Sequence, residues 1–176
     1  MITFVYGGSS SGKSAFAEEL LSGANAQNKY YLATMSASDP ESLKRIQKHR
    51  LSREGKGFIT LEYPTDVGRA VLEIDSADDS ALLLECMSNL VANEMFGKEA
   101  MSKAETCASK VLAEVSRLSE ETANLIIVSN NIFEDGITYD ETTEEYLRAL
   151  GQVNRELAKM ADSVYEVVVG IPLKIK

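Results

Sequence analysis

No stretch narrows the possible structures of this 176-residue chain as sharply as the octapeptide GGSSSGKS, residues 7 to 14. It lies between an apolar, β-rich run, ITFVY at 2–6, and a helical pattern in which Phe16, Leu20 and Leu21 form the buried stripe and Gly23 is the stop. The match to GxxxxGKS therefore has the strand-loop-helix context that its physics requires. Glycines let the backbone curl until successive N–H groups point at phosphate oxygens, and the helix N-terminus adds the positive end of its dipole. The pattern predicts a cradle for a nucleoside triphosphate, with Lys13 reaching the β and γ phosphates and the Ser14 hydroxyl ligating Mg²⁺. One hydroxyl holds a hard cation poorly, so a carboxylate at the end of another strand is expected as well. Glu85, closing ALLLE at 81–85, is the candidate; the competing reading is a structural, salt-bridged carboxylate.

Further apolar runs recur between helical patterns: YYLAT (30–34), FITLE (58–62), ALLLE, LIIVS (125–129) and VYEVVVG (164–170). This alternation predicts an α/β fold with a mostly parallel sheet flanked by helices. The nearly all-apolar ALLL and LIIV suit strands covered on both faces. PLKIK (172–176) follows its predecessor too closely for a parallel crossover, so an antiparallel edge hairpin is expected. Ala100, Ala104, Cys107, Val111, Val115 and Leu118 mark one long helix; Tyr146, Leu150, Val153, Leu157 and Met160 mark another.

Residues 1–176 are expected to form one domain, because a chain of this length that is 44% hydrophobic can bury a core without disulfides or a structural metal. Cys86 and Cys107 have neither CxxC spacing nor histidine companions and read as small core residues in a reducing compartment. No signal-peptide pattern or membrane-length apolar stretch is present, which predicts a cytoplasmic protein. A net charge of −9 opposes nonspecific binding to nucleic acid or to an anionic membrane, although it leaves a small anion free to bind a locally basic site. Such a site is suggested by Arg45, Lys48, Arg50 and Arg53.

These cations surround the only histidine. Asp39 and Pro40 are a capping carboxylate and a first-turn proline, and they predict a helix to about Arg53. On it Arg45, His49 and Arg53 share a face. Neighbouring cations favour the uncharged imidazole, the form that can attack phosphorus. The other reading is an ordinary polar surface histidine.

The segments RIQKHR (45–50), FITLE, LLLEC (82–86) and VNRELAKMADSVYEVVVGIPLKIK (153–176), together with GGSSSGKS, resemble the bifunctional adenosylcobinamide kinase/adenosylcobinamide-phosphate guanylyltransferase family of cobalamin biosynthesis. The resemblance implies a RecA-like P-loop domain, usually trimeric. It also implies an enzyme that phosphorylates adenosylcobinamide using GTP or ATP, takes GMP from GTP onto a histidine, and passes it to adenosylcobinamide phosphate. The matching histidine is His49. By the same resemblance Gly7, Gly8, Ser9, Ser10, Ser11, Gly12, Lys13 and Ser14 hold the phosphates, and Thr34, Arg50, Arg53, Glu62 and Glu85 supply the rest of the nucleotide site. Relatives tend to carry T-N-E-V-G-x-G-I-V-P where this chain has Ser129 to Thr138, so a glutamate and a glycine are replaced and the loop is one residue longer. Phe58 stands where tryptophan is common. A P-loop kinase of another small molecule and a nucleotide-binding module without turnover are the alternatives.

Overall fold

Each apolar run expected to be a strand is one, with small shifts at the ends, in a computed structural model that describes residues 1–36, 43, 44, 46, 47, 50, 51, 54–97, 101–133 and 136–176. The strands are β1 (Ile2–Gly7), β2 (Asn28–Ala33), β3 (Ile59–Glu62), β4 (Ser80–Glu85), β5 (Asn124–Asn130), β6 (Ser163–Val168) and β7 (Ile171–Lys174). They form a single sheet in the order β3-β2-β4-β5-β1-β6-β7. All neighbours run parallel except β6 and β7, which pair antiparallel as the short connection requires. Central β4 is buried over Ser80 to Leu84, which accounts for its unbroken apolar run. β7 is exposed throughout, and an edge is where Pro172, lacking an N–H, can be accommodated.

Helices cover both faces. α1 (Lys13–Gly23) packs Ala17 and Leu21 against Val5, Leu83, Ile126 and Val128. Phe16 and Leu20 are only half-buried, because the inward face centres on the i, i+4 pair Ala17 and Leu21. On the other face α2 (Met87–Phe96), α3 (Ala104–Glu120) and α4 (Glu141–Met160) bury Leu90, Val111, Val115, Leu150, Val153 and Leu157 against Phe4, Leu82 and Ile127. The long helix begins at Ala104, whose N–H donates to Glu145 Oε1 of α4 at 2.9 Å; Ala100 lies outside the described residues. Asp140 caps α4 by accepting from the Thr143 N–H at 2.8 Å.

The connection from β3 to β4 contains a 3₁₀ segment, Val67–Glu73, that packs on α3. There Lys110 Nζ lies 2.6 Å from Asp66 Oδ1, 2.6 Å from buried Glu94 Oε2 and 3.7 Å from Glu114 Oε1. Burial opposes the ammonium charge, but hydrogen bonds to Asp66 and Glu94 and the field of the carboxylates outweigh it and hold the pKa above the ordinary lysine value. Among the described residues no helix is long and apolar enough to cross a membrane.

Candidate functional site

β1 ends at Gly7, and the chain turns back immediately into α1. A Cβ on Gly7 would lie 2.7 Å from both Ser11 Oγ and Val167 O, so no larger residue fits there without displacing backbone. Gly12, directly before α1, has φ +94°, and a Cβ there would come within 3.1 Å of Gly170 Cα. Gly170 belongs to the β6–β7 turn, and its N–H donates to Ser11 O at 2.7 Å. The loop is therefore braced by a hairpin nearly the whole chain away in sequence.

Lys13 is buried and its Nζ donates to Gly8 O at 3.0 Å. Desolvation lowers its pKa, opposed by the nearby Cys86 and Glu85. Ser14 Oγ donates to the Glu85 carboxylate, joining the start of α1 to the end of β4. β5 separates β1 from β4, so this contact crosses one strand. Thr34, fully buried just after β2, donates its Oγ1 hydroxyl to Cys86 O at 2.9 Å and accepts from the Cys86 N–H at 2.8 Å. Its own N–H donates to Glu85 O at 3.0 Å. Thr34 thereby fixes the backbone that carries Glu85. Burial raises the pKa of the Cys86 thiol, despite a contact with Ser88 that favours the thiolate.

A cavity of about 360 Å³ opens beside this junction, with Tyr31, Met35, Arg50, Glu62, Glu85 and Cys86 in its lining. Glu62 and Glu85 lie on opposite sides of Ala33, which is in register with both. Arg50 forms an ion pair with Glu62, and Lys56 forms one with Glu18 of α1. The structure thus brings together the loop, Lys13, Ser14, Thr34, Arg50, Glu62 and Glu85. His49, Arg53, Arg45 and Lys48 lie outside the described residues, as do Asp39 and Pro40. A second cavity, about 480 Å³, lies under α4 between Phe4, Tyr6, Phe133 and Arg155 and contains none of the predicted site residues.

Gly7 and Gly12 leave room only for backbone, and Ser14 with Glu85 offers a hydroxyl and a carboxylate at the mouth of the loop. This donor set suits a triphosphate with a hard divalent cation. Over residues 3–175 the chain matches the family model described as cobinamide kinase / cobinamide phosphate guanyltransferase. The chain belongs to that family. It is 32% identical over 187 residues to the bifunctional adenosylcobalamin biosynthesis protein CobU of Salmonella typhimurium, with both chains covered in full. It is 27% identical over 176 residues to the bifunctional adenosylcobalamin biosynthesis protein CobP of Pseudomonas aeruginosa, covering 100% of this chain and 98% of that one. The cobinamide kinase / guanyltransferase assignment thus extends across the whole sheet as well as the phosphate loop.

Sequence reasoning named Asn130 only as part of the altered segment Ser129 to Thr138 and did not single out Ser88; Asn130 ends β5 and Ser88 lies in the first turn of α2, both beside Cys86. For Asn130 the available signal was a polar residue ending an apolar run, the same signal that marked Glu85; Ser88 has no such signal.

Proposed function

We propose that this chain is a single-domain cytoplasmic enzyme that phosphorylates adenosylcobinamide and then joins GMP to the product, giving adenosylcobinamide-GDP, and that it works as a trimer. Family membership supports both half-reactions. The geometric observation that carries the reading is the Ser14–Glu85 contact at the mouth of the Gly7–Ser14 loop. The loop N–H groups and Lys13 hold the triphosphate, with GTP or ATP as the phosphoryl donor in the kinase step. Mg²⁺, when bound through Ser14 and Glu85, offsets negative charge on the β and γ phosphates. Thr34 keeps Glu85 aimed at Ser14 through its grip on the Cys86 backbone. Arg50, Arg53 and Glu62 complete the nucleotide site.

In the second half-reaction the uncharged imidazole of His49 attacks the α phosphorus of GTP. An N–P bond forms, the bond to the bridging oxygen breaks, and pyrophosphate leaves. A phosphate oxygen of adenosylcobinamide phosphate then attacks the same phosphorus and releases His49. The test is incubation with Mg²⁺ and GTP carrying a radioactive α phosphate. A covalent adduct should form, survive alkali and be lost in acid, and His49→Ala should abolish it. A wild-type protein that hydrolyses triphosphate without becoming labelled would be a kinase of another type, and one that only binds nucleotide would be a non-catalytic module.

A further inference from the structure

We infer that Lys56 and Glu18 are positioning residues for guanylyl transfer: their ion pair docks the chain between His49 and β3 onto the helix that begins with the phosphate-loop residues Lys13 and Ser14. The assignment rests on the guanylyl-transfer reading proposed above. Glu18 lies four residues after Ser14, one turn further along the same face of α1. It is only 6% exposed, and a carboxylate so far from water needs a cation. Lys56 supplies it: Nζ donates to Glu18 Oε2, although the two are 38 residues apart in the chain.

The local sequence favours that contact. Lys56 is the centre of Gly55-Lys56-Gly57, and both glycines have left-handed backbone, at φ +80° and φ +74°. No atom lies within 4 Å of a Cβ placed on either, so the backbone conformation calls for glycine and the available space does not. The turn follows Leu51, whose carbonyl accepts from the Glu54 N–H at 3.3 Å. Phe58, two residues beyond Lys56, packs against the apolar cluster that contains Ala17 and Leu21 of α1. β3 begins at Ile59 and is an edge strand, so the sheet supports the chain before it from one side only. The ion pair and Phe58 direct that chain over α1.

Before this turn, Leu43, Ile46 and Arg50 line the cavity that also contains Glu85, and Arg50 pairs with Glu62. His49 immediately precedes Arg50 in the sequence. The Arg50–Glu62 pair is exposed on both sides, where water and salt screen it, whereas the Lys56–Glu18 pair has one partner buried. A buried ion pair adds little net stability over an apolar pair of similar size, and its best-attested effect is to hold one register. Here that register is the placement of the chain on α1. Transfer of GMP to His49 needs in-line attack at the α phosphorus, and a displacement of about 1 Å slows such a step severely. In the proposed kinase step the bond forms between the acceptor hydroxyl and the γ phosphorus, with no part for His49. The ion pair therefore bears on one half-reaction and not on the other.

The test compares wild type, Lys56→Arg, Lys56→Met and the double variant Glu18→Leu/Lys56→Met. Each is given Mg²⁺ and saturating GTP carrying a radioactive α phosphate, and the rate of labelling is set beside the rate of phosphoryl transfer to adenosylcobinamide and the melting temperature. Lys56→Met and the double variant should label about tenfold more slowly, with phosphoryl transfer within about twofold of wild type. Lys56→Arg keeps the cation and should label within about threefold of wild type. The double variant removes the buried carboxylate along with its partner and should melt no lower than wild type, so unfolding does not account for its slow labelling. Labelling at the wild-type rate in the double variant would overturn the assignment. Equal loss of both half-reactions in a folded variant would do the same, because the pair would then act on the phosphate loop. A wild-type protein that transfers phosphate but is never labelled would remove the guanylyl-transfer reading and this assignment together, and that outcome is seen before any variant is made.

Discussion

Lys13 carries its charge where burial opposes it, with Cys86 and Glu85 only partly compensating, so its pKa lies below the usual lysine value. A bound triphosphate favours the protonated amine, so the complex holds more proton than the free protein wherever free Lys13 has begun to titrate. Affinity should therefore fall as pH rises through the free-protein pKa, which begins below the ordinary value of 10.5. Calorimetry with a non-hydrolysable triphosphate analogue should record this alkaline loss in wild type, and Lys13→Arg, which does not titrate there, should lack it. A pH-independent affinity up to that value in wild type would contradict the assignment. At this scale the sequence was informative where spacing alone defines chemistry, as in Gly7 to Ser14, or where a strand-ending acid stands out, as in Glu85. It was silent about Thr34 as a clamp and about the contact of Asn130 with Ser88. Both depend on which strand ends lie side by side, and no local pattern encodes that.

The helices show the same division. Apolar periodicity identified α3 and α4 because each needs a continuous stripe to cover the sheet. The 3₁₀ segment Val67–Glu73 has no such period, and its place is set by charge: Lys110 of α3 reaches Asp66 at the entrance of the segment and the buried carboxylate of Glu94 in α2. Three separate elements thus meet at one ammonium. Lys110→Met should cost about 3–5 kcal/mol, because it strands Glu94 without its cation, and a second change, Glu94→Gln, should restore part of that loss. Because the folded pKa of Lys110 is raised, its contribution is complete below the unfolded lysine value and is lost as pH rises through the folded one. Urea titrations of the single and double variants at neutral pH test this, and additive losses would refute the coupling.

For the molecule as a whole, the alternation of runs and helices revealed a parallel α/β sheet and the closing hairpin, but not the strand order. That order depends on long-range packing, and it sets β1 between β5 and β6 and brings the β6–β7 turn onto the phosphate loop. The turn has two residues, Val169 at φ +46° and Gly170 at φ +83°. Such turns favour Asn-Gly, and a β-branched residue in left-handed backbone is strained. Val169→Asn should therefore raise stability by about 1 kcal/mol, seen as a higher melting temperature, without loss of nucleotide affinity. A lower melting temperature would mean that the valine side chain stabilises the fold through contacts that outweigh the strain.

The central position of β1 also bears on biosynthesis. β1 leaves the ribosome ahead of both its neighbours and can acquire neither until β5 and then β6 have been translated, which at about 5–20 residues per second leaves ITFVY without partners for on the order of ten seconds. During that interval the nascent chain presents a bare apolar segment to chaperones, and its nucleotide cradle cannot take shape until the far end of the sheet has been made.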